Sequence, residues 1–330
     1  MSSLAPGRVE IERRQRGENI WLRRAGSDEA AELQQLTPRR WNYEVLGSEE
    51  EVGRAMLDEI IRAGREKTGD LTIILLGGRG AQALHRLLGE EARGTELDSL
   101  LSRLNVFTQD ALAPMRKDNA FSFVRDFERL LGAAFFSKIK SFNSMQTDTG
   151  NTEDGLINYL QALDACGPVD IFFIGLGPEA NAASHIAYIK PGSGASAVDL
   201  GGVIPISQSI LEHHITKFKA GGAPFAEADE LECRAATNIL TLGPATLLAA
   251  RRVVQSIVDA DTAPAKVESF ARFVKTEISD DVATRARQVD ENPGLWLRLH
   301  ANTRSLVLPN VLSVIAKVIG SGDLINGRTE

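Results

Sequence analysis

Two short, largely apolar runs, LTIILL at residues 71–76 and VDIFFI at residues 169–174, each end in a glycine-rich turn. A strand that is buried on both faces needs a continuous apolar run of this kind, because helices cover both sides of it. Helical spacing follows the first run, in Ala83, Leu84, Leu87 and Leu88. The sequence therefore predicts a repeating order of strand, turn and helix.

The same order recurs along the chain. Ser48 is predicted to cap a helix that begins with three glutamates. Further strands are predicted at residues 105–108, 237–242, 253–258 and 305–308. Alternating strands and helices with short turns indicate an α/β fold, with a doubly wound, mostly parallel, Rossmann-like sheet and helices on both faces. We place this domain at residues 41–330, behind a polar lead segment of residues 1–40.

The net charge of the chain is −7, since 37 basic residues stand against 44 acidic ones. An acidic chain is repelled by nucleic-acid phosphates and anionic lipid, so we expect neither a nucleic-acid nor a membrane partner. Cys166 and Cys233 are the only cysteines in the sequence, which argues against a disulfide framework. Apolar runs long enough for a membrane span or a signal peptide are missing, so a cytoplasmic location is expected.

The turns after the strands are the expected binding site, because ligands bind at the carboxyl ends of parallel strands. Four segments are expected to face that site: residues 77–80, 109–110, 175–181 and 243–246. Gly77, Gly78 and Arg79 open a helix and combine backbone N–H groups with a guanidinium, a pattern that suits an anion. A tight turn without a ligand is the alternative. For Asp110 the alternatives are a turn cap or a proton-transfer group.

The five histidines do not form a metal-binding pattern. His85 stands beside Arg86 on a predicted helix and is expected at the surface. His213 and His214 are adjacent, so at most one of them is expected to face a given site. No metal site is predicted.

Six motifs then occur in the order in which glucosamine-6-phosphate deaminases and 6-phosphogluconolactonases carry them. They are LGGRG at 76–80, VFTQDA at 106–111, GLGPEANAA at 175–183, TNILTLGPATLLAARRV at 237–253, PAK at 264–266 and LRLH at 297–300. The chain resembles this superfamily over about residues 41–320, and its later motifs resemble the deaminase branch more. The resemblance implies a sugar-phosphate enzyme without a metal or an organic cofactor.

The resemblance also implies roles for individual residues. The implied phosphate-binding residues are Gly77, Gly78, Arg79, Lys266 and His214. The implied catalytic residues are Asp110, which would move a proton between C1 and C2 of the sugar, His185, which would assist ring opening, and Glu179, a substitute acid.

The catalytic signature departs from the deaminase pattern. Residues 184–193, SHIAYIKPGS, resemble the deaminase run G-H-I-A-F-N-E-P-G-S and keep the histidine as His185, but Lys190 replaces the glutamate. A gapless alignment from Gly175 instead puts Glu179 at the family's aspartate and Asn181 at its histidine. The carboxylate–imidazole relay of the deaminases is incomplete in both alignments.

Three functions fit this sequence. The leading hypothesis is an amino-sugar-phosphate deaminase and isomerase. A lactone hydrolase is the second, because GLGPEANAAS at residues 175–184 resembles the lactonase signature G-x-G-P-D-G-H-T-A-S. A binding protein that kept the anion site and lost catalysis is the third. The expected ligand in each case is a phosphorylated sugar, and a homo-oligomer is one option for the assembly.

Overall fold

The apolar runs form strands, and the amphipathic segments between them form helices, in a computed structural model that describes residues 9–179, 184–221, 224–258 and 264–313. The strands are β1 (Ile11–Arg16), β2 (Asn19–Arg24), β3 (Tyr43–Val45), β4 (Leu71–Leu75), β5 (Leu104–Thr108), β6 (Asp110–Ala113), β7 (Ser141–Asn143), β8 (Ile171–Pro178), β9 (Ser184–Ile186), β10 (Asp199–Pro205), β11 (Asn238–Leu242), β12 (Val253–Ile257) and β13 (Thr303–Val307). The helices are α1 (Glu29–Gln35), α2 (Glu49–Glu66), α3 (Arg79–Glu91), α4 (Asp98–Leu101), α5 (Phe123–Lys138), α6 (Thr152–Ala165), α7 (Gln208–Ala220), α8 (Glu227–Arg234), α9 (Pro244–Leu248), α10 (Pro264–Lys275), α11 (Val282–Glu291) and α12 (Trp296–Leu299), with a 3-10 turn at Pro293–Leu295.

The main sheet is parallel. Its strands lie in the order β3-β13-β12-β8-β4-β5-β7 across the described residues, and β9 adds an antiparallel pairing to β8. Every residue of β4 and β5 is buried, as a strand between two helical layers requires. The predicted α/β fold with a mostly parallel sheet is confirmed.

Helix α2 begins where the sequence predicted. The Ser48 hydroxyl accepts a 3.2 Å hydrogen bond from the Glu51 N–H, and the buried face of the helix carries Val52, Met56 and Ile60. This face packs on α3, and Gly53 allows the close approach because a Cβ there would overlap Ala83. The contact fixes the direction in which α3 leaves the glycine turn.

A second sheet is antiparallel, with the described order β1-β2-β10-β11-β6. The prediction that residues 237–242 belong to the parallel sheet is wrong, because β11 pairs antiparallel with β10 and β6. An apolar run reads the same in either kind of sheet when both faces are covered. Consequently Gly243 and Thr246 do not line the candidate site. The Gly243 N–H and the Thr246 hydroxyl instead donate to the Leu200 carbonyl, at 2.8 and 2.7 Å.

The described part of the lead segment is packed into this second sheet. Strands β1 and β2 form a hairpin, and β2 pairs with β10. Trp21 is fully buried, and its indole N–H donates to the Ser193 carbonyl at 2.9 Å. The Arg14 guanidinium lies 3.2 Å from the buried Asp199 carboxylate. Burial of a large ring and of an ion pair ties the hairpin to the body of the protein.

The two sheets meet between β5 and β6. The Gln109 N–H donates to the Leu75 carbonyl in the parallel sheet, and its carbonyl accepts the Leu242 N–H from the antiparallel sheet, both at 3.1 Å. Asp110 is the next residue and opens β6. The junction therefore holds the Asp110 backbone from both sides.

Candidate functional site

A cavity of about 800 Å³ opens at the carboxyl ends of the parallel strands. In its wall, Gly77 comes shortly after β4 and Asp110 shortly after β5, while Gly177 and Ser256 lie next to the last residues of β8 and β12. Helices α5 and α7 contribute the opposite wall, with Phe123 and His214 among its residues. The cavity lies where an open α/β sheet binds its ligands.

The glycine turn between β4 and α3 has a conformation that only glycine adopts without strain. Gly78 has a φ of 77° and is the N-cap of α3. A Cβ at Gly77 would overlap the Phe123 ring. The Ser256 hydroxyl donates to the Gly80 carbonyl at 2.6 Å, which ties the turn to β12. The start of α3, with its partial positive charge, therefore faces the cavity.

Two cations, Arg79 and Lys266, line the cavity. The Arg79 guanidinium donates to the Glu49 carboxylate, at 2.6 Å from Nη2 and 3.1 Å from Nε. Lys266 lines the cavity from α10, and its charge lowers the pKa of His185, so the two side chains are close. Gly77, Gly78, Arg79 and Lys266 thus line one cavity, as the sequence analysis expected.

Asp110 is buried at the junction of the two sheets and lines the cavity. Burial raises the pKa of its carboxyl to about 7, because the charged form loses its hydration. The Gln109 amide donates to Asp110 Oδ2 at 2.7 Å and opposes this effect. At neutral pH the carboxyl can thus both accept and release a proton.

His185 lies in β9, with its ring in the cavity wall against Gly177, where a Cβ would overlap Nε2. Its Nδ1 accepts the backbone N–H of Tyr188 at 3.1 Å, so the neutral ring carries its proton on Nε2. Burial lowers the pKa of His185 to about 3, and the charge of Lys266 acts in the same direction. The ring is a neutral hydrogen-bond donor at physiological pH.

Glu179 lies at the end of β8, outside the lining of the cavity. Its Oε2 accepts the hydroxyl of Ser207, the N-cap of α7, at 3.1 Å. Its charge raises the pKa of Tyr188, so the carboxylate lies near that phenol. Asn181, the alternative to His185 in the gapless alignment, lies outside the described residues.

His214 lines the cavity from α7. Its Nε2 donates to the Phe121 carbonyl at 2.7 Å, and its ring stacks on Phe218 with centroids 4.4 Å apart. Burial lowers the pKa of His214 to about 4, so the ring is neutral at physiological pH. His213 also lines the cavity, contrary to the expectation that only one of the pair would do so. Adjacent helical positions point about 100° apart, and a cavity of this size contacts both side chains.

His85 is not at the surface, as the sequence analysis expected, but is fully buried between α3 and α5. Its ring meets the Phe127 ring edge to face, with centroids 4.9 Å apart. Neither ring nitrogen has a hydrogen-bond partner among the described residues, and burial lowers the pKa of His85 to about 3. The prediction relied on the charged neighbour Arg86, but adjacent helical positions face different sides, so the exposure of Arg86 does not indicate that of His85.

Several cavity residues were not identified as site residues from the sequence. Tyr188 and Ser256 line the cavity, as do the basic residues Arg125 and Arg129. Ser256 could have been found from the predicted strand at residues 253–258, whose carboxyl end also belongs to the parallel sheet. Tyr188 had no such signal, because its turn follows no parallel strand.

Solved structures of similar fold include members of two enzyme groups. A monomeric glucosamine-6-phosphate deaminase is 19% identical over 83% of this chain and 99% of its own, with a TM-score of 0.62. A 6-phosphogluconolactonase from Trypanosoma cruzi is 16% identical over 86% of this chain and 99% of its own, with a TM-score of 0.59. The chain has their common fold. The fold that the resemblance in the six motifs implied is thus confirmed.

A 6-phosphogluconolactonase from Thermotoga maritima shows the same fold, with 15% identity over 82% of this chain and 99% of its own, and a TM-score of 0.56. No family model matches the sequence, and no curated protein matches it by sequence. Similarity at this level establishes the deaminase–lactonase fold and leaves the reaction to be argued from the site.

Two further features concern metals and membranes. No group of three or more metal-binding side chains occurs within the described ranges. Across the same residues, every helix is too short or too polar to span a lipid bilayer.

Proposed function

We propose that this chain binds a phosphorylated sugar in the cavity and acts on an amino-sugar phosphate as a glucosamine-6-phosphate deaminase. The observation that carries the proposal is Asp110, a buried carboxyl at the cavity with a pKa of about 7. A carboxyl with a pKa near the working pH can take a proton from one carbon and return it to the next. The similarity in fold to a deaminase supports the same reaction class.

The phosphate is proposed to bind at the glycine turn. The N-terminus of α3 favours an anion, and Arg79 and Lys266 add positive charge to the lining of the cavity. Arg79 would exchange its partner Glu49 for the phosphate, or share it. His214 would pack against the sugar, because its neutral ring already donates its proton to the Phe121 carbonyl.

The proposed reaction begins after the sugar ring has opened to the aldehyde, with His185 Nε2–H donating to a sugar oxygen. Asp110 removes the proton from C2, the C–H electron pair forms a C1–C2 double bond, and the carbonyl pair moves to O1. Asp110 then returns its proton to C1, while an ammonium proton ends on O1 and nitrogen becomes an iminium group. Water adds to C2 and ammonium leaves, which gives a ketose phosphate. The carbonyl group accepts the electron pair when C2 loses its proton, and the iminium carbon accepts the water in the last step.

The experiment that tests this function measures ammonia released from glucosamine 6-phosphate. The wild-type protein is expected to release it, and Asp110→Asn is expected to lose at least about 100-fold in kcat, since general acid–base catalysis contributes about that much. Calorimetric binding of glucosamine 6-phosphate should survive in Asp110→Asn. The control is Asp70→Asn, at a surface carboxylate that pairs with Lys140. Equal turnover by wild type and Asp110→Asn would reject the proposal.

Two other functions have specific support. The fold match to lactonases, together with Pro178 after the glycine pair, favours hydrolysis of a sugar-phosphate lactone. The position of Lys190, whose ammonium donates to the Pro205 carbonyl at 2.7 Å, favours a binding protein, because the deaminase pattern has a glutamate there. Hydrolysis of 6-phosphogluconolactone without ammonia release would identify the first, and binding of both ligands without turnover would identify the second.

A further inference from the structure

Tyr188 stands in a strained turn beside the proposed proton-transfer site. Ala187 has a φ of 45° and Tyr188 a φ of 54°, in the left-handed region that residues other than glycine rarely adopt. The hydroxyl of Thr241, in β11, donates to the Ala187 carbonyl and holds the turn. Backbone strain of this kind persists only where the surroundings impose it, and it is concentrated at functional sites.

The turn delivers the Tyr188 ring into the cavity wall. The ring stacks on His185, with centroids 4.3 Å apart and planes inclined by 10°, and the residue is 7% exposed. The backbone N–H of Tyr188 is the donor that fixes the His185 tautomer. Replacing tyrosine by phenylalanine would keep the stacking and the N–H, so those two roles do not require the hydroxyl.

Tyr188 and Asp110 line the same cavity. Burial raises the pKa of Tyr188 well above its usual value, and the charges of Asp110 and Glu179 act in the same direction. The phenol thus stays protonated at physiological pH and can donate a hydrogen bond but cannot act as a base. Within the described part of the chain, the phenolic oxygen makes no hydrogen bond to the protein. The deaminase run in the sequence comparison has phenylalanine at this position, so the hydroxyl is an addition of this chain.

We propose that the Tyr188 hydroxyl donates a hydrogen bond to the substrate oxygen that gains negative charge when Asp110 removes the proton from the neighbouring carbon. This inference rests on the function proposed above. In the amino-sugar reaction the oxygen is O1, which receives the electron pair of the carbonyl double bond. The phenol keeps its proton, because O1 finally takes one from the substrate's ammonium group. A hydrogen-bond donor that is already in place where negative charge develops lowers the activation barrier, because the site does not have to reorganise during the reaction.

The substitution that isolates the hydroxyl is Tyr188→Phe. We expect kcat on glucosamine 6-phosphate to fall at least about 10-fold while KM changes less than about threefold, because the bond strengthens in the transition state. Tyr43→Phe is the matched control, since Tyr43 stacks on Trp41 at 4.0 Å and is not part of the cavity wall. An unchanged kcat in Tyr188→Phe, with Asp110→Asn inactive, would overturn the role of Tyr188 and leave the proposed function standing.

A second measurement does not depend on turnover. The chain has three tyrosines, so labelling their phenolic carbons with ¹³C gives a simple spectrum in which Tyr188→Phe identifies one resonance. The probe is the hydroxamate of a five-carbon sugar-acid phosphate, whose oxygens resemble those of the charged intermediate. The Tyr188 resonance is expected to shift on binding. Binding with no shift would reject the role of Tyr188 alone, whereas failure to bind, together with absent turnover, would reject the proposed function as well.

Discussion

The backbone N–H of Tyr188 donates a 3.1 Å hydrogen bond to Nδ1 of His185. Only an unprotonated nitrogen can accept it, so the neutral imidazole keeps its proton on Nε2. Burial, the charge of Lys266 and this bond all favour the neutral ring, and the pKa of His185 is lowered to about 3. At physiological pH the His185 ring is therefore neutral and carries its proton on Nε2, where it can donate a hydrogen bond.

A fixed donor predicts a graded response to substitution. His185→Gln should retain more activity than His185→Ala, because an amide can also donate a hydrogen bond, and the alanine variant should lose about 100-fold in kcat. The pH dependence of kcat should show no step that disappears in His185→Gln. Such a step near pH 6.5 in the wild type alone would show that the imidazole titrates during turnover.

The Gln109 side chain is predicted to set the pH range of the reaction. Its hydrogen bond lowers the pKa of Asp110, so Gln109→Met should raise that pKa above its value of about 7. Proton removal needs the charged carboxylate, and the rising limb of kcat/KM should thus move to higher pH. Activity at pH 6.5 should fall at least about threefold relative to activity at pH 8.5. If the rising limb of the kcat/KM profile stayed at the same pH in Gln109→Met, the ionisation of Asp110 would not control the rate.

Gly177 is predicted to be essential because of the space it leaves. A Cβ at this position would overlap His185 Nε2, so Gly177→Ala should displace the ring and reduce kcat at least about 10-fold. Gly69→Ala is the control, since a Cβ there meets nothing within 4 Å and the backbone φ is unexceptional. Thermal unfolding of both variants separates a local effect from loss of fold. Full activity in Gly177→Ala would contradict the placement of the His185 ring.

His85 is predicted to destabilise the fold, most strongly in acid. The pKa of His85 is about 3 in the folded chain, whereas it is 6.5 for an exposed histidine. Between these two pH values the unfolded chain therefore binds a proton at His85 and the folded chain does not. Stability is lost as the pH falls from about 6.5 towards 3. His85→Leu removes two unpaired ring nitrogens and should stabilise the protein by about 1–3 kcal/mol, with the larger gain at pH 5. Urea unfolding at pH 5 and pH 8 measures it, and a destabilised variant would contradict the account.

Much of the parallel sheet could be predicted from local sequence. The run at residues 71–76 became β4 almost unchanged, because continuous apolar runs have few other uses in an α/β chain. The run at residues 169–174 became β8, but the glycine-rich turn predicted after it is wrong, since residues 175–178 continue the strand and pair with β9. The burial of His85 was also present in the pattern, since the buried residues Ala81 and Leu88 lie four and three residues from it on one helical face. The prediction of a surface position relied instead on the charged neighbour Arg86.

The antiparallel sheet and the Tyr188 turn could not be predicted in this way. Strand β11 pairs with β6 and β10, and nothing in its own residues distinguishes that partner set from a parallel one. The left-handed turn at Ala187 and Tyr188 contains no glycine or asparagine, so it carries no turn signal. Long-range contacts fix both features.

The central claim is that Asp110 moves a proton between neighbouring carbons of a sugar phosphate. The most direct measurement follows glucosamine 6-phosphate in deuterated water, with NMR detection of deuterium at C1 of the ketose product. We predict deuterium at C1 with the wild-type protein and none with Asp110→Asn, together with the loss of ammonia release. Product formed with Asp110→Asn at the wild-type rate and with the same label would contradict the account.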